Sequence, residues 1–284
     1  MQAYIGQLYR EFPGLRAAGI KEPAIRSIND LAKGKKVEDE SLFVIEGLWA
    51  YEKIAASGIR IKAFAFCPDF VTDYPVLEMV RFLIARSDAA YLISNSLCSR
   101  LSSRDGKEAF FMLCVLPRYG HKDIRLRRNN LVMVLDGLEN PGNIGTIIRT
   151  VDSAGGDGVI ICGSRVRRTN RKLIKASMGS GFMLPVMESD RVETIKWLNC
   201  NGFKVIVTDL QADKSYYSAD YSGRIAIIAG NEIHGISASW YEQQCERVII
   251  PMFGGADSLN VGVAASLVIY EASYRQRKLL ERGM

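Results

Sequence analysis

Three separate segments of this 284-residue chain hold the polar and charged side chains that are best placed for chemistry. Each segment includes the C-terminal end of a predicted strand and continues into a turn. The segments are residues 135–150 (LDGLENPGNIGTIIRT), 225–237 (IAIIAGNEIHGIS) and 248–277 (VIIPMFGGADSLNVGVAASLVIYEASYRQR). Open α/β sheets bind ligands beyond the carboxyl ends of their strands. The three turns therefore predict binding loops at one edge of a parallel sheet.

In the first segment, a strand runs into a Pro-Gly turn and then into a helix that carries Asn143 and Arg149. If Asn143 caps this helix, its side chain satisfies a free backbone N–H and Arg149 projects from the second turn. By spacing alone, a capping asparagine and a surface arginine explain this segment more simply than a catalytic pair does.

The second segment ends its strand in Ala-Gly-Asn-Glu. Gly230 permits a close backbone approach to a ligand, and Glu232 could accept hydrogen bonds or hold an arginine. A tight turn with a solvated glutamate is the alternative. His234 could act as a base, but a single loop histidine is more often incidental, so no role is assigned to it.

The third segment has a glycine-rich loop in which Ser258 and Asn260 precede a helix. Such loops suit phosphates and carboxylates, through backbone N–H groups and the helix dipole. Ala264, Ala265 and Ser266 form a narrow helix face, which suits close packing against a neighbouring element or a partner chain.

Strands alternating with helices from residue 131 onward predict a parallel sheet that is covered on both faces. The predicted strands there are 131–137, 158–162, 204–208, 224–230 and 247–251, and the predicted helices are 143–154, 170–178, 191–200, 237–244 and 260–280. After helical turns in 1–40, a smaller α/β domain has predicted strands at 41–45, 61–66, 90–93 and 109–115 and predicted helices at 47–58 and 76–87. The expected domains are 1–117 and 131–284, joined by a charged linker at 118–130.

Composition narrows the class of protein. Hydrophobic residues make up 48% and charged residues 24%, which suffices for two cores. No apolar run is long enough to span a membrane, and Arg10 and Glu11 interrupt any signal sequence. Six cysteines without a CxxC pair and two histidines predict reduced thiols in a cytoplasmic protein that has no metal site. A net charge of +6 and a basic run at 165–175 are compatible with a polyanionic partner.

Taken together, the three segments resemble the SpoU/TrmH family of RNA methyltransferases, within the SPOUT superfamily. The family's three motifs are matched by NPGNIGTIIRT, AGNEIHGI and IPMFGGADSLNVGVAAS, and IKASMGSGFMLPV at 174–186 is also similar to the family. The resemblance covers 131–275, and only the combination of motifs is specific. In the first domain, SLFVIEGLWAYEKIAASG and SSRDGKEAFFMLCV look like the family's small RNA-binding domain.

This resemblance implies a parallel sheet whose C-terminal part is tied in a deep trefoil knot, an exception to the usual rule against threaded chains. It implies S-adenosylmethionine as the methyl donor, a ribose 2′-hydroxyl of RNA as the acceptor, and a homodimer formed through the knotted region. The cofactor-binding residues carried over from the family are Thr208, Leu210, Gly230, Asn231, Ile250 and Leu259.

The resemblance also assigns catalytic roles. Arg149 would activate the 2′-hydroxyl with help from the RNA phosphate, or it would clamp that phosphate while another group or water accepts the proton. Asn143 would orient the ribose or Arg149, Glu232 would position one of these two, and Ser258 and Asn260 would line the pocket. The expected RNA-binding residues are Arg165, Arg167, Arg168, Arg171 and Lys172.

Three alternatives remain open at this stage. A Rossmann-type enzyme is disfavoured, because no GxGxxG follows the first strand of the second domain. A non-catalytic RNA-binding protein of the same fold would be expected to lack Arg149, Asn143 or Glu232, and all three are present. Ribosomal RNA is the favoured substrate because of the additional N-terminal domain, with transfer RNA as the second candidate. One departure from the family is Gly262, where a serine is common.

Overall fold

The structure is a computed structural model that describes residues 2–102 and 108–281. It divides into two compact units, Met1–Pro117 and Arg118–Met284. The first-domain motif SSRDGKEAFFMLCV lies partly outside the described residues, at positions 103–107.

Unit 1 is a five-stranded mixed sheet with short helices. Its helices are Gln2–Glu11 (α1), Pro23–Ala32 (α2), Tyr51–Ala56 (α3), Tyr74–Arg86 (α4) and Asn95–Leu101 (α5), and its strands are Arg16–Ala17 (β1), Leu42–Glu46 (β2), Arg60–Phe66 (β3), Ala90–Leu92 (β4) and Phe110–Val115 (β5). The strand order is β1-β4-β3-β5-β2. Strands β1, β4 and β3 are parallel, and β5 runs antiparallel to β3 and β2.

Unit 2 contains the sheet that positions the three motifs. Its strands are Asn130–Asp136 (β6), Gly158–Cys162 (β7), Val186–Ser189 (β8), Lys204–Thr208 (β9), Arg224–Gly230 (β10) and Cys245–Val248 (β11), and its helices are Pro141–Ala154 (α6), Arg171–Ser177 (α7), Arg191–Cys200 (α8) and Val261–Glu281 (α9). The order is β11-β9-β10-β6-β7-β8, and every pair is parallel. The predicted parallel sheet is confirmed.

The central strands β6 and β10 read as nearly continuous apolar runs because helices cover both faces of the sheet. One buried cluster includes α6 and α9, and the other includes Leu198 of α8 and Trp240. The chain proceeds outward from β6 to β7 and β8, and then crosses to form β9 on the far side of β10. The boundary between β6 and β10 is therefore the topological switch point, where a ligand crevice is expected.

Several sequence predictions need correction in unit 2. The helix expected at 237–244 is only a 3-10 turn at Ala238–Trp240, because Trp240 is fully buried and a strand begins at Cys245. The strand expected at 247–251 is Cys245–Val248. It ends there because the backbone of Ile249 pairs with the loop between β9 and β10, donating to the carbonyl of Lys214 at 2.8 Å.

Three further differences lie at the predicted boundaries. The helix expected at 47–58 is shortened to Tyr51–Ala56, and strand β1 was not expected. The predicted linker 118–130 belongs to unit 2: Ile124 is buried in its core, and Asn130 already forms part of β6. The segment 118–130 is therefore packed against unit 2, although most of its side chains are charged or polar.

Candidate active site

The first motif forms the start of α6. The side chain of Asn140 caps this helix, accepting a hydrogen bond from the Gly142 N–H at 2.9 Å, and Pro141 follows as the first helical residue. The expectation that Asn143 is the cap is therefore wrong. Because Asn140 satisfies the helix end, the amide of Asn143 is available for other contacts.

Asn143 joins all three motifs. Its Nδ2 donates to Oε1 of Glu232 at 2.7 Å, and its Oδ1 accepts from Nδ2 of Asn260 at 3.2 Å. These partners lie 89 and 117 residues away along the chain. The three segments predicted to form one composite site thus meet at a single side chain.

Asn260 is fixed by the helix that it begins. Its Oδ1 accepts from the N–H groups of Gly262 at 2.9 Å and Val263 at 3.4 Å. This leaves its amide to donate to Asn143. The small-residue face of α9 packs within the same chain, since Ala265 is fully buried and the hydroxyl of Ser266 lies 2.9 Å from that of Thr150 on α6.

In the described residues, Arg149 and Ser258 are not hydrogen-bonded to this cluster. Arg149 lies six residues after Asn143 on α6, which places the two Cα atoms about 9 Å apart along the helix axis. Both Arg149 and Ser258 are exposed. Within residues 2–102 and 108–281, neither side chain makes a hydrogen bond or an ion pair.

The second motif is a closed loop. Asn231 and Gly235 exchange two backbone hydrogen bonds of 2.9 Å, and the Asn231 side chain accepts from the N–H groups of Ile233 and His234. A Cβ on Gly230 would lie 2.5 Å from the Gly235 backbone. The absence of a side chain at Gly230 therefore allows its own loop to approach closely, and the expected contact of its backbone with a ligand stays a prediction.

The expected cofactor residues lie on adjoining loops. Thr208 Oγ1 donates to the Ile228 carbonyl at 3.0 Å, which ties the end of β9 to β10. Ile250 packs against the core, whereas Leu210 and Leu259 are 58% and 36% exposed. Exposed apolar side chains beside backbone donors and acceptors are the usual lining of a small-molecule site.

A polar cluster beside these loops was not predicted from the sequence. Asp209 Oδ2 accepts from Tyr241 Oη at 3.0 Å and from Arg247 Nε at 2.9 Å. Burial and the hydrogen bond to Asp209 raise the pKa of Tyr241 to about 12. Burial alone would raise the pKa of Asp209, but its hydrogen bonds and Arg247 outweigh burial and lower it. The cluster fixes the turn that begins at Asp209.

The predicted RNA-binding residues differ in exposure. Arg165, Arg167 and Lys172 are exposed, and Arg171 is half-buried. Arg168 is directed inward: its Nη1 donates to the Val186 carbonyl at 2.7 Å, and burial lowers its pKa. Its contacts are those of a structural residue.

In the described residues, no group of histidine, cysteine and acidic side chains could hold a metal ion. None of the described helices combines the length and apolar character needed to cross a membrane.

Comparison with known proteins places this geometry in a family. The model of the SpoU rRNA Methylase family matches residues 130–270. The 23S rRNA (guanosine(2553)-2′-O)-methyltransferase RlmP of Bacillus subtilis is 31% identical over 180 residues, which are 63% of this chain and 71% of the relative. An AdoMet-bound rRNA methyltransferase of Sinorhizobium meliloti is similar with a TM-score of 0.81 at 26% identity, covering 92% of this chain and 98% of that one. A crystal structure of an RNA 2′-O ribose methyltransferase gives a TM-score of 0.75 at 30% identity, covering 92% and 99%. This chain belongs to the SpoU rRNA methylase family.

Proposed function

We propose that this protein transfers the methyl group of S-adenosylmethionine to a ribose 2′-hydroxyl of RNA, and that the RNA is ribosomal. The observation that carries the proposal is the junction at Asn143, which hydrogen-bonds to Glu232 and Asn260 at 2.7 and 3.2 Å. The names of the relatives, an rRNA 2′-O-methyltransferase and an RNA 2′-O ribose methyltransferase, support both the reaction and the acceptor.

The loops at the carboxyl ends of β9, β10 and β11 fit the cofactor chemically. Leu210 and Leu259 offer apolar surface for an adenine ring, with the backbone near Gly230 and Ile250 alongside. The buried hydroxyl of Ser215 has no hydrogen-bond partner in the described part of the chain and could accept one from a polar ligand. When bound, S-adenosylmethionine supplies an electrophilic methyl group.

Because the donor is already reactive, the protein has chiefly to orient the acceptor and allow its proton to leave. We assign Arg149 to the phosphate beside the attacked ribose, since its guanidinium is exposed and has no acidic partner in residues 2–102 and 108–281. Asn143 and Asn260 orient the ribose, and Glu232 holds Asn143. Ser258, exposed on the same loop as Asn260, lines the pocket. The proton passes to the RNA phosphate or to water.

The exposed residues Arg165, Arg167 and Lys172 are proposed to bind the RNA backbone, together with unit 1. Replacing Arg165 and Arg167 together by alanine should weaken RNA binding without sequence preference. The slope of the logarithm of affinity against the logarithm of salt concentration should then become shallower, by about 0.7–0.9 for each phosphate contact that is lost. Lys196→Ala on α8 is the matched control. An unchanged salt slope in the double variant would remove these arginines from the RNA surface.

We also propose that the chain is knotted and forms a homodimer through unit 2. Helix α9 supports the dimer: Val263, Leu267, Tyr270 and Tyr274 recur at spacings of three and four on one face and are between 40% and 59% exposed. Leu267→Glu should shift the sedimentation mass from dimer to monomer. Val192→Glu, at an exposed valine of α8, should not. A monomeric wild type would contradict the dimer.

The test of the function uses the purified chain, S-adenosylmethionine and either ribosomal or transfer RNA from a strain that lacks the protein. Digestion to nucleosides and mass spectrometry should detect a new 2′-O-methylnucleoside from ribosomal RNA. Product from transfer RNA alone would favour the second substrate. Cofactor and RNA binding without product from either RNA would favour a non-catalytic RNA-binding protein.

A further inference from the structure

A buried carboxylate lies directly beneath the second motif and plays no part in the proposed chemistry. Asp136, the last residue of β6, is 1% exposed. Its Oδ1 accepts from Nε of Arg191 at 2.7 Å, and its Oδ2 accepts from the backbone N–H of Ser237 at 2.8 Å. Ser237 is the residue at which the second-motif loop ends, so one carboxylate connects that loop to helix α8.

The other end of the same loop is attached next to Asp136. The Asn231 side chain donates from Nδ2 to the carbonyl of Gly137 at 2.7 Å. In the sheet, Gly230 pairs in register with Asp136. Residues 136 and 137 therefore hold both ends of the loop 231–237, and the chain then continues from them into α6 and Asn143.

Arg191 occupies a position that is electrostatically unfavourable for a cation, and the neighbouring backbone leaves space for its side chain. Arg191 is the first residue of α8, where the helix dipole disfavours a positive charge. Gly163 leaves room for its guanidinium, since a Cβ there would lie 3.0 Å from Nη2 of Arg191. Arg191 is thus placed to neutralise a buried carboxylate, because an isolated one would be strongly disfavoured.

We infer that Asp136 is a positioning residue of the methyl-transfer site: by holding the ends of loop 231–237, it sets Glu232 at hydrogen-bond distance from Asn143. Glu232 is exposed, and among the described residues its side chain hydrogen-bonds only to Asn143, so its place depends on the loop. The inference rests on the proposed role of the Asn143–Glu232 pair.

The experiment compares Asp136→Asn with a matched variant at the opposite end of the same strand. Asp157 accepts from the Leu131 N–H at 2.8 Å and pairs with Arg127 at 3.7 Å, so Asp157→Asn also removes a carboxylate that holds β6. Both variants should lose thermal stability. Only Asp136→Asn should lower kcat, by roughly 10- to 100-fold, with KM for RNA little changed and with faster amide exchange in 231–237.

Ser237→Pro gives a second test if Asp136→Asn folds poorly. Ser237 has φ −65°, which proline adopts without strain. Among the hydrogen bonds of the described residues, this change therefore removes only the one from the Ser237 N–H to Asp136. It too should lower kcat. Equal kcat in Asp136→Asn, Ser237→Pro and Asp157→Asn would overturn the inference. A fall in kcat for Glu232→Ala in the same assay would show that the proposed site itself stands.

Discussion

The bond between Asn143 and Glu232 can be tested by exchanging its donor and acceptor. Asn143→Asp replaces the donating Nδ2 by an oxygen that faces Glu232 Oε1, which is 2.7 Å from Nδ2 in the wild type. The lost bond is worth about 1 kcal/mol at a solvated site. Repulsion between charges about 4 Å apart adds between about 1 and 4 kcal/mol, for effective dielectric constants of 80 and 20.

Together these effects disfavour the paired arrangement by roughly 2–5 kcal/mol, which lowers its population between about 30-fold and several thousand-fold. We expect kcat to fall accordingly. The melting temperature should change little, because a carboxylate in the first turn of α6 gains about 0.3–1 kcal/mol from the helix dipole. This gain offsets the lost hydrogen bond, and the exposed Glu232 side chain can turn away from the new charge. Loss of activity is thereby separated from loss of folding.

The double variant Asn143→Asp with Glu232→Gln restores the pair with its polarity reversed, since the glutamine amide can donate to the new carboxylate. Asn260 still donates to the other oxygen. Glu232→Gln alone should cost only a few-fold in kcat, because the glutamine carbonyl can still accept. A double-mutant cycle on kcat should show recovery to within about tenfold of wild type. Strictly additive losses would refute the claim that these two residues act as a pair.

Three other predictions follow from the same geometry. Arg149→Ala should leave the Kd for S-adenosylmethionine nearly unchanged by titration calorimetry and lower kcat by roughly 10²- to 10³-fold; unchanged turnover would remove Arg149 from the mechanism. Gly262→Ser places a Cβ 3.1 Å from Asn260 Oδ1, a contact that a shift of a few tenths of an ångström relieves while the hydrogen bonds of Asn260 are kept. Stability should therefore change by less than about 1 kcal/mol and kcat by less than tenfold; a larger loss of kcat would mean that substrate fills this space. Because the pKa of Asp209 is lowered below its ordinary value of 3.8, its charge stabilises the fold fully above that value and less as the pH falls through the lowered pKa. Asp209→Asn should therefore be less stable than wild type in urea unfolding at pH 7, with a gap that closes in acid, and a gap independent of pH would contradict this.

The sequence predicts the elements of unit 2 well where apolar runs end at glycine or at charged residues. The strands 158–162, 204–208 and 224–230 are confirmed at both ends. The predicted helix at 237–244 fails because its only strong apolar anchor, Trp240, is held by tertiary burial in a short turn. Over eight residues, helix propensity cannot distinguish a helix from a short turn that is held by tertiary packing.

Two local features carried signals that the sequence predictions did not use. In Asn-Pro-Gly-Asn, Pro141 is favoured at the first helical position, which makes Asn140 the cap and frees Asn143. Asp136 ends a strand that is buried on both faces and is apolar from Leu131 to Leu135, and a lone carboxylate there must have a partner. Its partners, 55 and 101 residues away, could not be derived from periodicity.

The meeting of the three motifs at one site could be predicted only in part from local sequence patterns. Strand ends at one edge of a parallel sheet made a composite site plausible, but the pairing of Asn143 with Glu232 and Asn260 depends on the strand order, which local patterns do not determine. The resemblance to the family implied a shared pocket in which Glu232 positions Arg149 or Asn143, and the bond between Asn143 and Asn260 comes from the structure alone. The knot stays a prediction for the same reason, because threading is a property of the whole path of the chain.

The most direct test of the central claim is to locate the transferred methyl group. Ribosomal RNA from a strain lacking the protein would be incubated with the purified chain and S-adenosylmethionine carrying an isotope-labelled methyl group, then digested to nucleosides and analysed by mass spectrometry. The account predicts label on one ribose 2′-oxygen, and none with the Arg149→Ala variant. Label on a base would contradict it, as would equal labelling by the variant.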